Sequence, residues 1–233
     1  MNKYLVTSCL LALASSQLTQ AITFSISGAV GGAPTGVNYL NFDDLTLGSQ
    51  AGTTTAGPSG SAMVTTTSDA KAVLGSLSGQ YAAPFLSGGN GAGFGNANGV
   101  DMTTYLSTGI GGVSLDFGGS QQYIGLLWGS IDLYNSLEFY QNNVLLGSIT
   151  GGQVLAGANG DQGVNGTLYV NISTDMGFDR VVAKSSQYAF EFDNVAYTST
   201  ALPSPVPDGG ALAGVFSLAL IGMAGVARRC RQS

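Results

Sequence analysis

The chain has 233 residues, enough for one domain of ordinary size together with targeting segments at its ends. Charged residues make up only 9% and glycine occupies 36 positions, yet hydrophobic residues reach 44%, so there is enough apolar material for a core. This composition is typical of an extracellular all-β protein and argues against a cytosolic helical enzyme.

Several kinds of chemistry are excluded by the residue types present. The chain contains no histidine, which removes Ser-His and Cys-His nucleophile pairs and the commonest zinc ligand. Its two cysteines, Cys9 and Cys230, fall in the terminal segments, so residues 22–200 have neither a disulfide nor thiolate chemistry. These residues include twelve acidic and three basic side chains, a formal charge of −9. Such a charge disfavours nucleic acid as a partner.

The first 21 residues have the pattern of a secretory signal peptide. A positively charged start precedes a nearly continuous apolar stretch over residues 4–14, and small residues occupy positions −3 and −1 for cleavage after Ala21. Cys9 loosely fits a lipoprotein signal, but too little apolar chain precedes it. We therefore expect export through the Sec translocon and cleavage by signal peptidase after Ala21.

Residues 22–200 alternate between apolar and polar side chains in short segments separated by Gly-, Asn- and Asp-rich breaks. This alternation is typical of half-buried strands, and residues 141–143 are typical of a hairpin turn. Residues 48–99 are looser and include two low-complexity segments that we assign to loops. The pattern predicts an antiparallel β-sandwich, jelly-roll-like, with strands at 22–26, 39–42, 113–117, 123–128, 137–140, 144–146, 168–172, 180–183 and 189–197.

A linker, an apolar segment and a basic tip follow the predicted domain. Residues 211–227 carry no charge and span about 25 Å as a helix, just enough for a bilayer core. We predict a transmembrane helix there, with the domain outside and the tip, residues 228–233, in the cytoplasm. A buried C-terminal helix is the alternative. The linker, residues 201–210, ends in a short signature, and the tip is rich in arginine: Val206, Pro207, Asp208, Gly209 and Gly210, then Arg228, Arg229 and Arg231.

The order of signature, apolar helix and arginine cluster resembles the PEP-CTERM class of bacterial sorting tails, in its VPDGG variant. Residues 125–135, 137–140 and 191–195 are also similar to a family of exosortase-dependent surface proteins. The resemblance implies an exosortase as processing partner, which removes the tail near the signature. It further implies transient anchoring in the inner membrane, a final place at the cell surface or outside the cell, and association with exopolysaccharide or biofilm. It supplies no reaction, so we expect a protein that is not an enzyme.

Four residues form a candidate carbohydrate contact: Trp128, Asp132, Tyr134 and Asn135. An exposed aromatic ring flanked by Asp and Asn can stack on a sugar and bind its hydroxyls. The alternative places Trp128 in the core and lets Asp132 and Asn135 shape a turn, and strand periodicity does not decide between the two. Asp132 and Glu138 also have the residue types of a glycosidase pair, a weaker hypothesis.

No cofactor is expected other than a single structural calcium ion. Loop and strand-end oxygens suit Ca²⁺, although no segment fits a twelve-residue calcium loop. Carboxylates that merely face solvent are the alternative. The candidate ligands are Asp43, Asp44, Asp161, Glu191 and Asp193.

Overall fold

The computed structural model describes residues 22–29 and 32–202. The segments assigned to the signal peptide, the VPDGG signature, the transmembrane helix and the basic tip lie outside these residues, so those assignments stay predictions. In the described part of the chain no helix combines the length and apolar character needed to cross a membrane.

The described residues form thirteen strands, one short α-helix and one 3-10 turn over residues 92–94. The prediction of an all-β antiparallel domain is confirmed, because every strand pair is antiparallel. The elements are β1 Phe24–Ala29, β2 Asn38–Leu40, β3 Ala51–Ala56, β4 Ser61–Ser68, β5 Lys71–Val73, β6 Phe85–Leu86, β7 Gly99–Val100, β8 Tyr105–Thr108, β9 Gly111–Gly129, β10 Asn135–Gln141, β11 Val144–Thr150, α1 Gly151–Val154, β12 Leu168–Ser185 and β13 Phe190–Thr198.

Eleven strands belong to one hydrogen-bonded network, and β6 pairs only with β7. The main path runs β11-β10-β12-β9-β13-β8-β5, while β1 joins β12, β2 joins β13, β4 joins β9 and β3 joins β4. The hairpin between β10 and β11 turns at Asn142 and Asn143, whose φ angles of 50° and 65° suit a tight primed turn. The hairpin turn expected at residues 141–143 is therefore confirmed.

Two long strands, β9 and β12, organise this network. Residues 111–116 of β9 pair with β4, whereas residues 123–129 pair with β13. In the same way, β12 pairs with β1 near its start and with β10 near its end. The register between β9 and β12 is irregular around Phe178, between their two regular stretches. Each long strand thus takes two different neighbours along one edge.

The core lies on both faces of the second half of β9. Ile124, Leu126 and Trp128 belong to the main hydrophobic cluster, which collects residues from nine strands. Tyr123 and Leu127 point to a smaller cluster with Leu86, Tyr169 and Ala196. Burial of both faces explains why this stretch reads as an almost continuous apolar run and not as a simple alternation.

The loop assignment of the first low-complexity segment, residues 53–60, is wrong in part. Thr53, Thr54 and Thr55 lie in β3, which forms a hairpin with β4, and Ala62 and Val64 of β4 are buried in the main core. Threonine is β-branched and favours strands, so the physical signal was present but masked by the low complexity of the segment.

Candidate functional site

Trp128 lies in the core and not at the surface. Its side chain is 0% exposed and its ring stacks on that of Phe190, with 4.3 Å between centroids and 12° between planes. No ring face is left for a sugar, so the prediction that Trp128 contacts carbohydrate is wrong and the core alternative holds. The cause is the burial of both faces of β9, which periodicity does not reveal.

A cavity of about 470 Å³ lies at the end of β9, next to the residues that directly follow this strand. Its lining comes from four separate loops together with the start of β13. The loop after β9 contributes Asp132 and Tyr134, and the loop before β13 contributes Tyr188. Two of the predicted carbohydrate contacts, Asp132 and Tyr134, therefore share a concave site.

Asn135 holds the loop that carries Asp132 in place. Its Oδ1 accepts the backbone N–H of Asp132 at 2.9 Å, and its Nδ2 donates to Ser185 Oγ and to the carbonyl of Ala189, both at 3.1 Å. Because Asn135 is fully buried and spends both polar atoms on these bonds, its predicted contact with carbohydrate is wrong. It shapes the turn, as the alternative had it.

The loop that contains Gly160 packs closely against the Asp132 carboxylate, because glycine has no side chain. The Gly160 N–H donates to the carbonyl of Ile131 at 3.0 Å, and its φ is +72°. A Cβ added there would lie 2.6 Å from Oδ2 of Asp132. Only a residue without a side chain lets this loop pack against the Asp132 carboxylate.

Glu191 of β13 forms the floor of the cavity. Its Oε1 accepts the N–H of Ala82 at 2.8 Å, and its Oε2 accepts the hydroxyl of Ser130. Burial raises the pKa of the Glu191 carboxyl to about 7, and these hydrogen bonds oppose that shift while nearby Asp132 adds to it. Near neutral pH the Glu191 side chain is therefore divided between its ionised and its protonated form.

Three tyrosines, Tyr81, Tyr134 and Tyr188, complete the cavity. Tyr134 donates its hydroxyl to the carbonyl of Tyr188 at 2.8 Å, which fixes the two loops to each other. Burial first, and the neighbouring Asp132 carboxylate second, raise the pKa of Tyr134, so it stays a neutral phenol. Tyr188 is 47% exposed and part of its ring lies against Gly109, whereas the ring of Tyr81 carries the Lys71 ammonium 5.3 Å from its centroid.

The lining combines aromatic surface with acceptors and contains no basic residue. Carboxylates, amides and hydroxyls at short spacing accept and donate to a polyol, and phenol rings pack against its C–H faces. An anionic ligand would be repelled by Asp132 and Glu191, and the Lys71 ammonium beside the cavity is bonded to Oε1 of Gln80 at 3.5 Å.

Glu138 takes no part in this cavity. It lies on β10, where its carboxylate pairs with Lys184 at 3.0 Å and accepts the hydroxyl of Tyr140 at 2.6 Å. The structure therefore does not bring Asp132 and Glu138 together as the hypothesised glycosidase pair, and it places Glu191 beside Asp132 instead.

The five predicted calcium ligands are divided among different places. Asp44 accepts from Thr55 and from the N–H of Ala56, and Asp161 accepts the N–H of Gly163 at 2.7 Å, so both stabilise loops. Glu191 belongs to the cavity. Asp43 and Asp193 come near each other, and Asp193 is fully buried. Across residues 22–29 and 32–202, no group of three or more acidic residues is arranged to hold a metal ion.

Sequence reasoning missed Tyr81, Tyr188 and the cavity role of Glu191. Tyr81 lies in the looser stretch, residues 48–99, and nothing local relates it to residues more than a hundred positions away. The usable signal was Tyr188 itself, an aromatic residue in the polar break between the two final predicted strands. No protein-family model, curated protein or solved structure matches this chain.

Proposed function

We propose that the chain is an exported bacterial surface or matrix protein that an exosortase processes at the VPDGG signature, and that its β domain is not an enzyme. The paired targeting segments and the absence of histidine support the proposal. In this proposal the inner membrane and the exosortase are transient partners, and exopolysaccharide is the lasting one.

The same proposal includes a jelly-roll-like β-sandwich as the finer architecture of the domain. The support comes from β9 and β12, each of which exchanges one neighbour for another along its length. Strands that change neighbours in this way are typical of corners between packed sheets. The main cluster, with side chains from nine strands, suits the space between two such layers.

The cavity is the proposed saccharide site of this domain. The observation that carries the proposal is the joint presence of Tyr134, Tyr188, Asp132 and Glu191 around one concave space of about 470 Å³. The exposed part of the Tyr188 ring is the stacking surface in this proposal, and the Asp132 carboxylate accepts sugar hydroxyls, while Glu191 and Ser130 bond to each other on the floor. Since no lysine or arginine lines the cavity, the preferred ligand is a neutral saccharide and not a uronic acid.

Replacing Tyr188 by alanine tests this site. We expect Tyr188→Ala to weaken binding of a neutral exopolysaccharide about 5-fold, because a stacking contact worth about 1 kcal/mol is lost. The full chain in detergent is titrated calorimetrically with purified bacterial exopolysaccharide, separated by anion exchange into neutral and acidic fractions. Tyr140→Ala is the matched control, because Tyr140 packs on Arg180 outside the cavity.

Equal affinity of wild type and Tyr188→Ala for the neutral fraction would contradict the saccharide site. Tighter binding of the acidic fraction would contradict the preference for neutral sugars. Release of reducing ends by the wild type, lost in Glu191→Gln, would replace the binding role by a glycoside-active enzyme that uses Glu191 and Asp132.

A further inference from the structure

A gap in the strand pairing of β13 contains a second group of acidic residues, separate from the cavity. β13 pairs with β8 over residues 190–192 and with β2 over residues 195–197. Asp193 and Asn194 lie between these stretches, and Asn194 has a φ of 53°, so the strand is irregular there. The residues that follow β2 and those that precede β8 meet the gap and bring Asp43 and Asp101 to it.

Four buried polar atoms in this gap have no hydrogen-bond partner in the protein. They are Oδ2 of Asp101, Oδ1 of Asp193, and both Oδ1 and Nδ2 of Asn194. All three side chains are fully buried. Buried polar atoms are nearly always satisfied in folded proteins, so a cluster of unpaired ones points to an ion or water that completes it.

The two buried carboxyl groups both lie within reach of the Thr103 hydroxyl. The Thr103 hydroxyl lies 2.5 Å from Oδ1 of Asp101 and 3.4 Å from Oδ2 of Asp193, and it carries one proton for both.

No basic side chain neutralises this pair. Within the described part of the chain, the one ion pair joins Lys184 to Glu138 on β10. Two neighbouring carboxylates need either a shared proton or a bound cation. A proton shared by Asp101 and Asp193 would explain why the two carboxyl groups lie close together. It would not supply hydrogen-bond partners for the side chain of Asn194.

We propose that Asp101, Asp193 and Asn194 form the side-chain part of a binding site for one divalent cation, Ca²⁺. Two carboxylates match the charge of the ion, and the amide oxygen of Asn194 adds a neutral ligand of the kind that Ca²⁺ accepts. Ca²⁺ tolerates irregular sets of oxygen ligands, whereas Mg²⁺ demands a near-ideal octahedron. The site ties β13 to the loops next to β2 and β8, and it does not depend on the saccharide proposal.

Calcium binding is measured on the full chain in detergent after removal of divalent ions by chelation. Titration calorimetry should show one Ca²⁺ per chain and much weaker binding of Mg²⁺. Saturating Ca²⁺ should raise Tm by about 5–10 °C, because it binds the folded state only. Asp193→Asn and Asp101→Asn should abolish the rise. Asp161→Asn, which alters an exposed carboxylate that was also a predicted ligand, should keep it.

The Tm values measured without Ca²⁺ distinguish a variant that has lost a calcium ligand from one that is misfolded. Without Ca²⁺, Asp193→Asn should unfold at the same temperature as wild type or above it, because the substitution removes a buried charge that nothing compensates. Absence of stoichiometric Ca²⁺ binding by the wild type would overturn the proposal, as would a rise in Tm that persists in both variants.

Discussion

Replacing Trp128 by alanine should lower the free energy of unfolding by about 3–5 kcal/mol, the cost of truncating a fully buried large aromatic side chain. The ring stacks on Phe190 and lies in the main core between β12 and β13. Urea unfolding of the full chain in detergent, followed by far-UV circular dichroism, measures the change.

Two further variants serve as comparisons for the stability change of Trp128→Ala. Trp128→Phe should cost only about 1–2 kcal/mol, because it keeps an aromatic ring in the core. It also removes the indole Nε1, which is buried without a hydrogen-bond partner. Leu133→Ala should stay within about 0.5 kcal/mol, since Leu133 is 66% exposed. An unchanged unfolding midpoint for Trp128→Ala would show that Trp128 does not occupy the core.

Replacing Asn135 by alanine should cost about 3 kcal/mol, because it leaves the buried N–H of Asp132 and the carbonyl of Ala189 without their partner. The loop that carries Asp132 and Tyr134 should loosen as well, so saccharide affinity should fall together with stability. Urea unfolding and calorimetric titration of the same preparation measure the two effects.

Asn98→Ala is the matched control for Asn135, because Asn98 is exposed. Its free energy of unfolding should stay within about 0.5 kcal/mol of wild type. An Asn135→Ala variant as stable as Asn98→Ala would mean that the turn at residues 132–135 forms without its side-chain bonds.

The sequence predicted the C-terminal strands well, because their alternation is strong and their turns carry recognisable residues. The Asn142-Asn143 turn is the clearest example. Residues 113–117 and 123–128 were predicted as two strands, yet they form the single strand β9, and residues 168–172 and 180–183 likewise form the single strand β12. Gly118 and Gly119 suggest a turn, but glycine also serves where a long strand bends, and local sequence does not distinguish the two uses.

The candidate cavity was only half predictable. Asp132 and Tyr134 follow an apolar strand and were recognisable as polar loop residues, whereas Tyr81 and Tyr188 reach the cavity through contacts between distant segments. The buried pair in the gap of β13 shows the same limit. Asp193 was among the predicted ligands, but its partner Asp101 lies about ninety positions earlier and carries no local signal.

The most direct test of the central proposal is the mass of the protein isolated from envelope and medium, in cells with and without exosortase. Intact-mass and C-terminal peptide analysis should show a mature form that starts at Ile22 and ends within residues 206–210 only where exosortase is present. Retention of residues 228–233 on the envelope form in both strains would contradict exosortase processing and would make the apolar segment a permanent anchor.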